Sequence, residues 1–168
     1  MKNYLWSFAI ALFTLLSCSG NEDDVQKIDQ ILDIYIKDTS GKDLLHPTKI
    51  GAYSTIGMND NYSDNDIAPV NFSRKMLVDS TNYMQYVAGA TRQLVDDNNA
   101  DGKIYKSQIL VSLSKRLSAT ETAAPIVDTL NIFYKMTPSA FEVSKVYYNS
   151  QLKFTKVSNE ANVVTIIK

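Results

Sequence analysis

From Leu32 to the C-terminus, apolar residues recur at alternate positions far more often than at helical spacing. Leu32, Ile34 and Ile36 share one face of Leu32–Lys37, with Asp33, Tyr35 and Lys37 on the other. That is the signature of a strand with one buried side. The same stripe returns at Ile109, Val111 and Leu113, and again at Leu130, Ile132 and Tyr134, with Ser112, Ser114, Asn131 and Lys135 on the opposite faces. Val146-Tyr147-Tyr148 and Leu152-Lys153-Phe154 flank Asn149-Ser150, which predicts a two-residue hairpin, since Asn tolerates the left-handed backbone of a tight turn. Val163 to Ile167 predicts a closing strand.

Two weaker stretches, 49–56 and 70–78, also predict strands, with a polar loop over 59–66 between them. Asn82 to Leu94 fits two templates. Tyr83, Val87 and Ala90 suit a helix, whereas Tyr86, Ala88 and Ala90 suit a strand, and Gly89 weakens both. About eight strands joined by turn-rich loops predict an all-β fold, an antiparallel β-sandwich of immunoglobulin-like architecture. Residues 28–168 form its single domain, long enough to bury a core without a staple.

The N-terminus reads differently. Lys2 precedes an apolar run that ends in Leu15-Leu16-Ser17-Cys18. The run is of secretory length, too short to span about 30 Å of hydrocarbon, and it resembles a lipoprotein signal peptide with a bacterial lipobox. Residues 1–17 are then the signal peptide, and Cys18 is the lipidated first residue of the mature chain. An acidic tether, residues 18–27, contains Glu22-Asp23-Asp24, which resembles the surface-export signal of Bacteroidetes lipoproteins. The expected address is the outer membrane, lipid-anchored and exposed at the cell surface, with the periplasmic face as the alternative. Cys18 is the chain's one cysteine, so no disulfide is available to the domain.

Charge removes one class of partner. The chain carries 17 basic and 18 acidic residues without a clustered basic run, which argues against nucleic acid.

Several motifs together resemble a recurrent group of small Bacteroidetes lipoproteins. They are the strand Leu32-Asp33-Ile34-Tyr35-Ile36-Lys37-Asp38, the corner Gly41-Lys42-Asp43-Leu44-Leu45-His46-Pro47, the strand start Val127-Asp128-Thr129-Leu130 and the hairpin Lys145-Val146-Tyr147-Tyr148-Asn149. The sequence departs from that group at His46, where a polar Asn is usual, and at Ser150, where Gly is frequent. The resemblance implies surface location and a β-sandwich. It implies no activity, cofactor or site residue.

One loop has a candidate chemistry. In Asp97-Asn98-Asn99-Ala100-Asp101-Gly102-Lys103-Ile104, the side chains of Asp97, Asn99 and Asp101 and the carbonyl of Lys103 match the first two-thirds of a calcium loop. The twelfth position is Gln108, which lacks the closing bidentate carboxylate. An Asn/Asp/Gly-rich turn explains the same composition without a metal. Any calcium site here is expected to be weak and structural, and no cofactor is required.

Catalysis finds little support. His46 is the one histidine, and there is no second His, free Cys or Gly-x-Ser-x-Gly elbow with which to build a zinc site or a Ser/Cys nucleophile. The carboxylates Asp96 and Asp97, or Asp60, Asp64 and Asp66, are readable as loop charges. The expectation is therefore a non-enzymatic, lipid-anchored module with a structural or protein-interaction role. The alternatives are a glycan-binding accessory lipoprotein, using tyrosines among Tyr53, Tyr62, Tyr83, Tyr86, Tyr105, Tyr147 and Tyr148, and a weakly calcium-stabilised extracellular module. Asp79-Ser80-Thr81 and Asp128-Thr129-Leu130 also fit a short Bacteroidetes O-glycosylation pattern.

Overall fold

The computed structural model describes residues 26–168, so the expected signal peptide, Cys18 and the acidic residues 22–24 lie outside the described residues. Every regular element among the described residues is a strand: β1 Lys27–Asp29, β2 Leu32–Lys37, β3 Tyr53–Asp60, β4 Ser73–Met76, β5 Asn82–Tyr86, β6 Gln93–Asp96, β7 Lys103–Lys115, β8 Ile126–Met136, β9 Ala140–Tyr148, β10 Gln151–Thr155 and β11 Asn162–Ile167. They form two sheets. The larger runs β1-β9-β8-β7-β3, with β10 also on β9 and β6 also on β7; the smaller runs β11-β2-β5-β4. The inward residues of both sheets meet in one core, as the β-sandwich expectation requires.

The alternating stripes become the walls of that core. Leu32, Ile34, Ile36, Val164 and Ile166 come from the smaller sheet, and Ile109, Val111, Leu113, Leu130, Ile132 and Tyr134 from the larger. Most pairings are antiparallel, but β1 runs parallel to β9 and β11 parallel to β2. The sandwich is thus mixed at these two places. The N- and C-terminal segments are tied by polar contacts too. Lys156 Nζ donates to Asp29 Oδ2 at 2.6 Å, and Asn162 Nδ2 donates to Asp29 Oδ1 at 2.8 Å and to the Ile31 carbonyl at 2.9 Å.

Among the described residues, eleven strands replace the expected eight, the additions being β1, β5 and β6. The ambiguous stretch 82–94 resolves into strand, turn and strand. Asn82, Met84 and Tyr86 point inward on β5, which then ends near Gly89 at φ +126°. The polar Asn82 is satisfied there, because Asp43 Oδ2 accepts from its Nδ2 at 2.7 Å and its backbone N–H at 3.1 Å. The strand expected at 49–56 starts later and extends to Asp60, since the chain turns through Gly51 at φ +83°. The strand expected at 70–78 shrinks to β4.

The Gly-x-Asp-Leu-Leu corner also acquires a physical account. Asp43 Oδ1 accepts the Leu45 N–H at 2.7 Å, which turns the chain so that Leu44 and Leu45 enter the core. His46 stays at the corner, where its Nδ1 accepts the Thr48 N–H at 3.4 Å.

Candidate functional site

The alternation that sends Leu130, Ile132 and Tyr134 inward sends Asn131, Phe133 and Lys135 outward on β8. Registry with the neighbouring strands then builds two cross-strand rows on the outer face of the larger sheet. One row is Lys106, Phe133 and Lys145, and the next is Gln108, Asn131 and Tyr147. Side chains directly opposite one another in a sheet stand close enough to touch.

Contacts lock both rows together. The Phe133 and Tyr147 rings meet edge to face, with centroids 5.6 Å apart and planes 66° apart. Lys106 Nζ lies 5.8 Å from the Phe133 centroid and 5.7 Å from that of Tyr62, which arrives from the loop after β3. Gln108 Nε2 donates to Asn131 Oδ1 at 2.8 Å, and Asn61 Nδ2 donates to Gln108 Oε1 at 2.5 Å. The result is an aromatic cluster alongside a ladder of side-chain amides, held in place by its own hydrogen bonds.

Two adjoining concavities flank the cluster and share Phe133 and Tyr147. One, of about 310 Å³, is rimmed by Asn99, Asp101, Ile104, Lys135, Ser144 and Lys145; the other, of about 210 Å³, by Lys106, Asn131 and Ser150. The floor is apolar and the rim carries amides, a hydroxyl, ammonium groups and one carboxylate. Such a surface suits a ligand with an apolar face and several hydroxyl or charged edges.

The calcium-loop residues contribute to this groove in an unexpected way. Asn99 Oδ1 accepts the Asp101 N–H at 2.9 Å, and the Asn99 carbonyl accepts the Gly102 N–H at 3.0 Å, so the loop is closed by its own turn bonds. Asp97 forms an ion pair with Lys103, Oδ1 to Nζ 2.7 Å. Asn99 and Asp101 line the groove instead. Among the described residues, no group of three or more His, Cys, Asp or Glu side chains is placed to hold a metal ion.

The tyrosines divide by sheet face. Tyr53, Tyr86 and Tyr148 are buried in the core. Tyr83 stacks on Tyr35 across the outer face of the smaller sheet, with centroids 5.2 Å apart. Tyr105 packs edge-on against Phe141, in a separate cleft where the Arg92 guanidinium lies over Tyr134 and Phe141 and donates to Gln30 Oε1 at 2.6 Å. Tyr147 lines both concavities, and Tyr62 reaches the cluster through Lys106, whose ammonium lies over its ring.

Three of the five carboxylates considered for catalysis, Asp60, Asp96 and Asp97, have structural partners. Asp60 is buried and accepts the Tyr62 N–H at 3.0 Å and the Thr91 N–H at 2.7 Å. Burial disfavours its charge, but those hydrogen bonds outweigh it and hold the carboxyl below its usual range. Asp96 accepts the Asn98 N–H in a turn at 3.0 Å. Asp64 and Asp66 are exposed in the loop after β3.

Phe133, Lys106 and Lys145 escaped the sequence reading, although one signal for Phe133 was present. Outward parity between Asn131 and Lys135 marks a large aromatic on a solvent face, where burial does not explain it. The chain matches no family model, no curated protein and no solved structure.

Proposed function

We propose that the protein is a non-catalytic glycan-binding module carried on a lipid anchor, with the outer face of the larger sheet as its ligand surface. The observation that carries this reading is the half-exposed Phe133–Tyr147–Tyr62 cluster beside the Asn61–Gln108–Asn131 amide ladder. One face of a pyranose ring presents mostly C–H groups and can lie on an aromatic ring, while its hydroxyls need donors and acceptors at the edges. The groove offers both at once. The lipobox-like Leu15-Leu16-Ser17-Cys18 supports anchoring through Cys18, and a diacylglyceryl group with an N-acyl chain supplies enough hydrocarbon for stable attachment at the outer membrane.

The test is glycan-array binding of the full-length protein in detergent, followed by titration of the best oligosaccharide. Phe133→Ala and Tyr147→Ala should each weaken binding about tenfold, a typical cost for losing a stacked aromatic contact, while leaving the melting temperature nearly unchanged. Absence of binding across the array, or affinity untouched by both substitutions, would overturn the reading.

A second reading, docking of a protein partner, is favoured by the end of β4. Met76, Leu77 and Val78 are all exposed there, Val78 completely, beside the free edge of the smaller sheet. An exposed edge strand with apolar flanks can accept another chain's strand. Photocrosslinking from position 78 on intact cells tests it, and recovery of uncrosslinked protein alone would count against it.

A further inference from the structure

We infer that the groove selects anionic glycans, those bearing carboxylate or sulfate groups, over neutral ones; this rests on the glycan-binding reading above. Lys103, Lys156 and Lys168 are each ion-paired, to Asp97, Asp29 and Asp128. Lys106, Lys135 and Lys145 are in no ion pair among the described residues, yet all three surround Phe133. Lys106 and Lys145 are its neighbours across β7 and β9, and Lys135 stands two residues along β8.

Their placement matters as much as their number. Lys106 is held over the Phe133 and Tyr62 rings rather than left extended in water, so its ammonium is already at the ligand surface. The concavity on its side, rimmed also by Asn131 and Ser150, contains no carboxylate. The carboxylate in the groove, Asp101, belongs to the other concavity. Glu142 is opposite Lys135 in register but forms no ion pair with it among the described residues. A sugar stacked on Phe133 therefore has cationic donors on both flanks and an acidic acceptor for hydroxyls at one end. A carboxylate or sulfate on that sugar would gain charge-assisted hydrogen bonds without first displacing a protein carboxylate.

The experiment compares matched oligosaccharides on the full-length protein in detergent by calorimetric titration. Oligogalacturonate against its methyl ester tests the carboxylate; sulfated carrageenan oligomers against desulfated ones test the sulfate. At about 20 mM salt the anionic member of at least one pair should bind about tenfold tighter, and the preference should shrink toward about 300 mM salt as screening shortens the range of the charges. Lys106→Gln combined with Lys145→Gln should abolish the preference, bringing the affinity for the anionic member down to that for the neutral one. Equal binding within both pairs, or a preference that survives the lysine substitutions, would overturn the inference. Neutral binding that is lost in Phe133→Ala would still uphold the glycan reading in that case, whereas no binding by any oligosaccharide would sink both.

Discussion

The Tyr148 hydroxyl donates a 2.6 Å hydrogen bond to Asp128 Oδ2, and both side chains are buried. Asp128 lies near the start of β8 and Tyr148 at the end of β9, so the bond fastens the two strands where the β9–β10 hairpin begins. Asn149 Nδ2 adds a 2.6 Å bond to Asp128 Oδ1, Asn149 Oδ1 accepts the Thr129 N–H at 2.8 Å, and Lys168 Nζ reaches Asp128 Oδ2 at 2.5 Å. The Asp-Thr-hydrophobic strand start and the Tyr-Tyr-Asn hairpin, far apart in sequence, are one polar assembly that also holds the C-terminal residue.

Asp128 should make the fold sensitive to acid. Burial alone would raise its pKa, but hydrogen bonds from Lys168, Tyr148 and Asn149, together with the Lys168 charge, outweigh burial and hold it below the ordinary carboxylate value. A lowered folded-state pKa contributes stability that is complete above the unfolded value, about 3.9, and is lost as pH falls through the folded value. Asp29 is shifted the same way, with burial opposed by Lys156 and Asn162. Urea titrations from pH 7 downward should show the midpoint falling below about pH 4. Asp128→Asn should lower stability by about 3 kcal/mol at pH 7, because it leaves Lys168 without its buried counter-ion, and should flatten the acid limb. Parallel pH curves for the two proteins would refute this assignment.

Ser150 offers a gain rather than a loss. Asn149 and Ser150 both adopt left-handed backbone, φ 46° and 66°, as the two central positions of a type I′ hairpin require. A non-glycine residue there costs about 1–2 kcal/mol. Glycine removes that strain at an entropic cost of about 0.5–1 kcal/mol, so Ser150→Gly should stabilise by about 0.5–1 kcal/mol. Asn149→Gly should do the reverse, because Asn149 holds Asp128 and Thr129 through its side chain. Urea midpoints moving in opposite directions for the two variants are the expected result, and a shared direction would disprove the turn argument.

The legible parts of the fold were those with one apolar and one polar side. β2, β7, β8 and β11 show this directly, because each buries every second residue over most of its length. β6 was hidden because all four of its residues are exposed, leaving no stripe to read. β5 was hidden because an inward position is the polar Asn82, whose burial makes sense only once Asp43 is known to reach it. The groove was harder still, since Lys106, Phe133 and Lys145 become neighbours through registry between three strands, and registry is a tertiary property. The loop at 97–103 was visible as a turn, but the sequence could not show that Asp97 would pair with Lys103.

Gly102 in that loop is required by packing as well as by backbone conformation. Its φ of +124° is unfavourable for any side chain, and an added Cβ would collide with the Met136 carbonyl oxygen and lie 3.1 Å from Thr137 Cγ2. The β6–β7 connection thus rests directly on the end of β8, which is how Asn99 and Asp101 are held at the groove. Gly102→Ala should cost at least about 2 kcal/mol, from strain and overpacking together, and lower the melting temperature by about 4–8 °C. Gly41→Ala is the matched control: its φ is +85°, but a Cβ there meets nothing within 4 Å, so only the strain is paid. If packing is the reason for the glycine, the excess cost at Gly102 over Gly41 should be the same in calcium and in chelator, and oligosaccharide affinity should fall as the loop is pushed off β8. An excess cost that appears only in calcium would instead give the glycine a role in holding the metal.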